Sequence, residues 1–175
     1  HAGAQPITVH WQLAHDSAFR QVVRSGQASA LPALGHSVHV ELTGLAPDRW
    51  YFYRFRLGDA SSAVGRTRTF PAPDVLAPRL RFAFASCQRW EHGYYAAWRH
   101  MQAEQLDAVV FLGDYIYEYA SPRVSKSAPA AALARSHSLR HARTLADYRD
   151  RYALHRSDPD LQAAHQACPW LVTWD

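Results

Sequence analysis

The segment Asp107-Ala108-Val109-Val110-Phe111-Leu112-Gly113-Asp114-Tyr115-Ile116-Tyr117-Glu118 passes directly from an apolar run into a glycine, a carboxylate and a phenol. A nearly unbroken apolar run of this length, without alternation, is the pattern of a strand covered on both faces in a parallel sheet. Leu80 to Ala85 is a second such run. Between the two, Tyr94, Ala97, Trp98 and Met101 fall at i, i+3, i+4 and i+7, which predicts one stripe of a helix and hence a strand-helix-strand unit. Trp170 to Trp174, after Pro169, reads as a further short buried strand.

In an open α/β sheet, ligands bind beyond the carboxyl ends of the strands. Here those ends are Ser86-Cys87-Gln88, Gly113-Asp114 through Glu118, and Asp175. A thiol, carboxylates and a phenol delivered to one rim are donors for a hard, highly charged ion. Asp114 follows a glycine at the end of a buried strand, where a carboxylate is expensive to desolvate unless it is hydrogen-bonded or bound to a cation. The plainer reading is an Asp that caps the following loop. With Tyr117 three residues on, the spacing suits an Asp that bridges two metals and a phenolate that reaches one of them, an arrangement fitted to trivalent iron. Cys87 is either a ligand at its strand tip, a small buried hydrophobe, or half of a disulfide with Cys168. As a nucleophile it is poorly equipped, because His92 is its only near histidine. His137 and His141 read as a fortuitous surface pair. Arg89, Arg123, Arg140 and Arg143 are solvated charges unless they meet an anionic substrate. Glu118 is a proton donor or acceptor only if it is drawn into the site.

Upstream, the pattern changes to period two. Ile7, Val9, Trp11 and Leu13, then Val38, Val40 and Leu42, then Tyr51, Tyr53, Phe55 and Leu57 predict antiparallel strands. Leu45, Pro47 and Tyr51 have the spacing of a tyrosine corner, and the whole is expected to form a fibronectin type III-like sandwich over residues 1–72, in which Trp50, Tyr51 and Tyr53 are core or face residues. Residues 73–78 belong to a stretch with three prolines, Pro71, Pro73 and Pro78, and read as a semi-rigid linker. The second domain is expected over 79–175. Within it, Ser121 to Arg143 reads as an excursion without period. Thr144 with Asp147 resembles a capping box ahead of Leu145, Tyr148 and Tyr152 on one helical face, and Asp158-Pro159 marks another helix start.

The chain has 175 residues, room for one ordinary domain or two small ones. Its formal charge of +4, from 19 basic and 15 acidic residues, is spread without a basic run and gives no argument for specific nucleic-acid binding. No apolar stretch is long enough for a membrane span. The two cysteines lack the spacing of a zinc site.

Phe84-Ala85-Ser86-Cys87-Gln88, the segment 107–118, Tyr148-Arg149-Asp150-Arg151-Tyr152 and Trp174-Asp175 occur in the order found in the PhoD-like phosphatases and phosphodiesterases, which the chain resembles. Gly44-Leu45-Ala46-Pro47 and Val64-Gly65-Arg66-Thr67-Arg68-Thr69-Phe70 resemble that family's N-terminal domain. The resemblance implies a fibronectin type III-like sandwich followed by the first part of an α/β calcineurin-like metallophosphatase sandwich. It implies iron (Fe3+) held by Cys87, Asp114 and Tyr117, calcium (Ca2+) also facing Asp114, and Asp175 at the start of a further metal motif. Phosphate mono- and diesters are the implied substrates, and a secreted, periplasmic or cell-surface protein the implied setting. The family's later ligands lie beyond Asp175, so the sequence as it stands is expected to hold an incomplete, inactive site. A purple acid phosphatase also combines a fibronectin-like domain with Gly-Asp-x-x-Tyr, but it needs an Asp on the first metal strand, and Phe82 to Gln88 has none. A non-catalytic binding module acting through residues 1–72 is the remaining alternative.

Overall fold

The computed structural model describes residues 5–121 and 133–174. The chain divides into two compact units, His1–Leu80 with Gln166–Pro169, and Arg81–His165 with Trp170–Asp175.

The first unit is built on one five-stranded antiparallel sheet. Its strands are β1 (Ile7–Ala14), β2 (Val22–Ala30), β3 (Trp50–Leu57), β4 (Ala60–Ser61) and β5 (Gly65–Arg68), in the order β2-β1-β3-β4 with β5 also on β3. Tyr51 is buried, and its hydroxyl accepts a hydrogen bond from the Ala46 backbone N–H at 3.0 Å, as the predicted corner requires. The expected strand at Val38, Val40 and Leu42 does not form. Their alternate burial is present, and Val40 and Leu42 line a cavity with Trp11, Leu13, Tyr53 and Phe55, so the segment lies over the sheet without a ladder of its own. Period-two patterning reports which side chains face a core, not which backbone finds a partner. Among the described residues a second sheet of a sandwich is therefore not present. Strand β2 escaped the sequence reading because its segment, VVRSGQASA, is mostly polar and half-exposed. Two glycines on this sheet make room for aromatic rings across the ladder: a Cβ on Gly26 would meet the Trp11 ring at 2.6 Å, and one on Gly65 would lie within 2.7 Å of the Tyr53 ring.

The second unit contains a three-stranded parallel sheet of β6 (Phe82–Ala85), β7 (Ala108–Phe111) and β8 (Trp170–Val172), in that order. Helix α1 (Ala96–Ala103) is the crossover between β6 and β7, followed after β7 by α2 (Leu145–Arg156) and α3 (Pro159–Ala167). One face of the sheet carries Val109 and Phe111, both buried, with the Trp98 ring of α1 6.0 Å from Phe111 and 4.6 Å from Trp170. Such side chains stabilise by roughly 1.5–3 kcal/mol each when fully buried. The expectation of strands covered on both faces is not met. Phe82, Phe84, Leu112 and Leu171 are about half or more exposed, and β8 is not buried. Burial also differs from the helical stripe expected for α1, where Tyr95 and Trp98 are buried and Tyr94 is exposed.

Helix α2 begins with the predicted capping box. The Thr144 hydroxyl accepts from the Asp147 N–H at 3.2 Å, and the Asp147 carboxylate accepts from the Thr144 N–H at 2.9 Å. Its buried face, however, is Arg151 and His155 rather than Leu145, Tyr148 and Tyr152. Apolar content alone misassigned the face because the guanidinium finds enough backbone acceptors to be buried. Burial pushes the His155 imidazole down to about 4. Asp158 caps α3 as predicted, accepting from the Asp160 and Leu161 N–H groups at 3.0 Å each.

Gly65→Val, which forces a branched side chain into the Tyr53 ring, is expected to lower stability by about 1–3 kcal/mol, measured by urea denaturation. A second expectation concerns acid. Arg140, followed by the Arg143 N–H and the Thr144 hydroxyl and N–H, holds the Asp147 carboxyl below its usual value of 3.8. Above that value the carboxylate adds stability. As pH falls below it, the unfolded chain takes up the proton first and stability declines. Thermal melts through this window should fall less steeply for Asp147→Asn than for the wild-type chain.

Candidate metal centre

The site is built where β6 and β7 end. Their parallel register pairs Ala85 with Phe111, so both strands deliver their next residues to the same edge. The pairing continues past the strands: Leu112 N–H donates to Ala85 O at 2.8 Å, Cys87 N–H to Gly113 O at 3.3 Å, and Gln88 N–H to Asp114 O at 3.1 Å. Both tips then turn through left-handed backbone. Gly113 has φ +100°, which glycine adopts freely, but Cys87 at +59° and Asp114 at +55° do so at a cost of roughly 1–3 kcal/mol each. That strain turns the two side chains toward one another.

Asp114 Oδ2 is the hub. The Tyr117 hydroxyl donates to it at 2.8 Å, and Cys87 Sγ lies 3.4 Å from the same oxygen. Burial, then hydrogen bonding to Asp114 and Cys87 and their negative charge, pushes the Tyr117 phenol well above its ordinary value. A phenol beside two acids holds its proton more tightly. The same neighbours make the phenolate favourable once a positive ion is supplied, since metal ligands bind in their deprotonated forms. Thiolate, carboxylate and phenolate together carry three negative charges, and the donor set fits a trivalent ion with mixed hard and soft preference. Among the described residues no group of three or more His, Cys, Asp and Glu side chains is arranged to hold a metal, so the cluster consists of two such residues and a phenol.

The remaining predicted residues fall differently. Asp175 lies outside the described residues. Neither Cys87 nor Cys168 takes part in a disulfide; Cys87 is exposed and Cys168 buried. Glu118 lines a cavity of about 840 Å3 that begins at Asp114 and is walled mainly by Tyr115, Tyr148, Tyr152 and Trp174, with Arg149 on its edge. Arg89 pairs with Glu91 at 3.4 Å and Arg140 with Asp147 at 2.8 Å, while Arg123 lies outside the described residues.

His137 is the clear correction. Its side chain is only 2% exposed, with Nε2 3.2 Å from Glu91 Oε1, so it is no surface partner of His141. The sequence reading missed the supporting shell altogether. Gln88 is buried and ties its tip to the fold, its amide donating to Tyr115 O at 3.1 Å and accepting from Trp98 Nε1 at 3.1 Å. Arg135 stacks on Trp90 at 3.5 Å and pairs with the buried Asp158 at 2.6 Å. The Arg149-Asp150-Arg151 stretch between Tyr148 and Tyr152 was visible, but nothing in the sequence separates its half-buried arginine from its buried one.

Comparison with known proteins follows the same division. The family model for PhoD-like phosphatases matches residues 82–175, and the model for the N-terminal domain of PhoD-like phosphatases matches residues 1–71. Alkaline phosphatase D of Bacillus subtilis (strain 168) is 52% identical over 172 residues, covering 98% of this chain and 29% of that protein. A solved structure of PhoD superposes with a TM-score of 0.91 at 51% identity, covering 99% of this chain and 33% of that one. The chain thus spans about a third or less of the length of these relatives.

In the folded chain Cys87 is expected to react with a thiol reagent and Cys168 only after unfolding. Mass spectrometry of labelled peptides would show it, and equal labelling of both in native buffer would contradict the burial described.

Proposed function

The chain belongs to the PhoD-like phosphatase family, and from that premise we propose that it supplies part of the metal centre of a phosphoric ester hydrolase acting on phosphate mono- or diesters. The observation that carries the reading is the convergence of Cys87 Sγ and Tyr117 Oη on one oxygen of Asp114 at the tips of two parallel strands. In this reading Cys87, Asp114 and Tyr117 hold Fe3+, Asp114 also faces Ca2+, and Asp175 adds a further ligand. Bound there, the ions would supply the positive charge that transfer of a phosphoryl group to water requires.

The residues of this chain have separate tasks. Asp114 is the acceptor toward which the other two donors are drawn. Tyr117 and Cys87 each give up a proton, from Oη and Sγ, when the centre is loaded. The cavity that begins at Asp114 offers aromatic walls to the organic part of the ester, and Arg149 on its edge offers a positive charge to an anionic one. Residues 1–72 are read as the fibronectin-like N-terminal domain, residues 73–78 as a linker, and the setting as secreted, periplasmic or cell-surface. The first two readings rest on the strand patterning, the tyrosine corner and the prolines together with the family, the last on the family alone. No helix among the described residues is long and apolar enough to cross a membrane.

A purple acid phosphatase is disfavoured by Cys87 at the position where that chemistry needs a carboxylate, and by the match to alkaline phosphatase D.

The test uses the full-length protein. Purified enzyme should contain iron, absorb in the visible from phenolate-to-iron charge transfer, and hydrolyse a chromogenic phosphate ester. Asp114→Ala should lose hydrolysis and absorption together. An active, colourless enzyme without iron would overturn the assignment.

A further inference from the structure

Arg151, in the middle of α2, is 2% exposed and among the largest fully buried side chains of the chain. A buried guanidinium is costly unless its donors are met; here the two terminal nitrogens are met in a particular way, while the buried Nε has no partner. Nη1 donates to Tyr119 O at 2.5 Å and lies 2.9 Å from His137 Nε2, while Nη2 donates to Arg140 O at 2.8 Å and to Glu118 O at 3.4 Å. Glu118 and Tyr119 directly follow Tyr117, in a stretch that belongs to neither helix nor strand. Glu118 O also accepts from the Ala142 N–H at 2.8 Å. The peptide leaving Tyr117 is therefore held from two sides by chain that α2 anchors, and not by any ladder of its own.

The counter-charge comes from the other arm of the site. Glu91, four residues beyond Cys87, is 4% exposed and accepts from the Ser121 hydroxyl at 2.9 Å. His137 lies between the two charges, 3.2 Å from Glu91 Oε1 and 2.9 Å from Arg151 Nη1, and its N–H donates to the same Ser121 hydroxyl at 3.1 Å. The loop after Cys87 and the loop after Tyr117 are thus joined by the Ser121 hydroxyl on Glu91, with His137 Nε2 placed between Glu91 and Arg151 where it can donate to the one or accept from the other.

We infer that Arg151 is a positioning residue: it fixes the Glu118–Tyr119 backbone and so keeps the Tyr117 hydroxyl on Asp114. Its consequence for catalysis rests on the reading of Cys87, Asp114 and Tyr117 as the metal centre; its consequence for the place of Tyr117 does not. Lysine is no substitute, because one ammonium cannot span the carbonyls of residues 119 and 140 as the guanidinium fork does.

The experiment labels the full-length protein with 3-fluorotyrosine and assigns the Tyr117 19F signal by its absence in Tyr117→Phe. In metal-free Arg151→Met the Tyr117 signal is expected to shift or broaden. Arg151→Lys, which keeps the charge, should show the same change and carries the measurement if the methionine variant does not fold. In the loaded enzyme kcat should fall roughly 10- to 100-fold, as for other residues that orient a ligand, with KM little changed. A Tyr117 signal identical to wild type in a folded variant, with only the melting temperature lowered, would overturn the inference. Failure of the metal-centre reading looks different: Tyr117→Phe would then hydrolyse ester at the wild-type rate, while the fluorine signal still reports whether Arg151 holds the phenol.

Discussion

The parallel pairing of β6 with β7, extended by the Cys87 N–H to Gly113 O and Gln88 N–H to Asp114 O bonds, is the constraint from which the rest of the site follows. Parallel strands end side by side, so residues distant in sequence arrive at one edge with their spacing fixed by the ladder. The left-handed turns at Cys87 and Asp114 then point a thiol and a carboxylate at each other, at a local cost that the paired strands beneath must offset. Remove the register and there is no reason for Cys87 and Asp114, 27 residues apart in sequence, to meet.

Around that edge the fold places two kinds of support. On one side, Gln88 couples the first tip to Trp98, and Trp98 packs on Phe111 and Trp170, so the helix that crosses between the strands also braces what they deliver. On the other, α2 carries none of the three converging donors but buries Arg151 under the chain that follows Tyr117. Its capping box keeps the start of that helix in place, with Arg140 bonded both to Asp147 by its side chain and to Arg151 by its carbonyl. Stability at acid pH and order at the site are in this way linked through one helix terminus.

Two features that distinguish the sequence from its surroundings were legible as chemistry: a carboxylate after Gly113 at the end of an apolar run, and a phenol three residues later. Cys87 was legible only by position. The shell was not. Glu91, Arg151, His155 and Asp158 are charged or polar residues whose default place is the surface, and burial depends on acceptors contributed by distant segments. His137 misled for the same reason, since a pair four residues apart says nothing about a glutamate 46 positions upstream.

The strand-helix-strand unit, the capping box of α2, the Asp158 cap and the corner tyrosine follow from local composition and spacing, because each depends on neighbours within a few residues or on the period of one element, whereas the meeting of Cys87 with Asp114 needed the register of two strands. Which apolar stretches are covered was decided by the tertiary structure. Val38 to Leu42 has the alternation of a strand yet pairs with nothing, and Phe82 and Phe84 read as buried yet stand exposed. Hydrophobicity tells a side chain to leave water, but only the arrangement of the other elements determines whether there is something for it to leave water against.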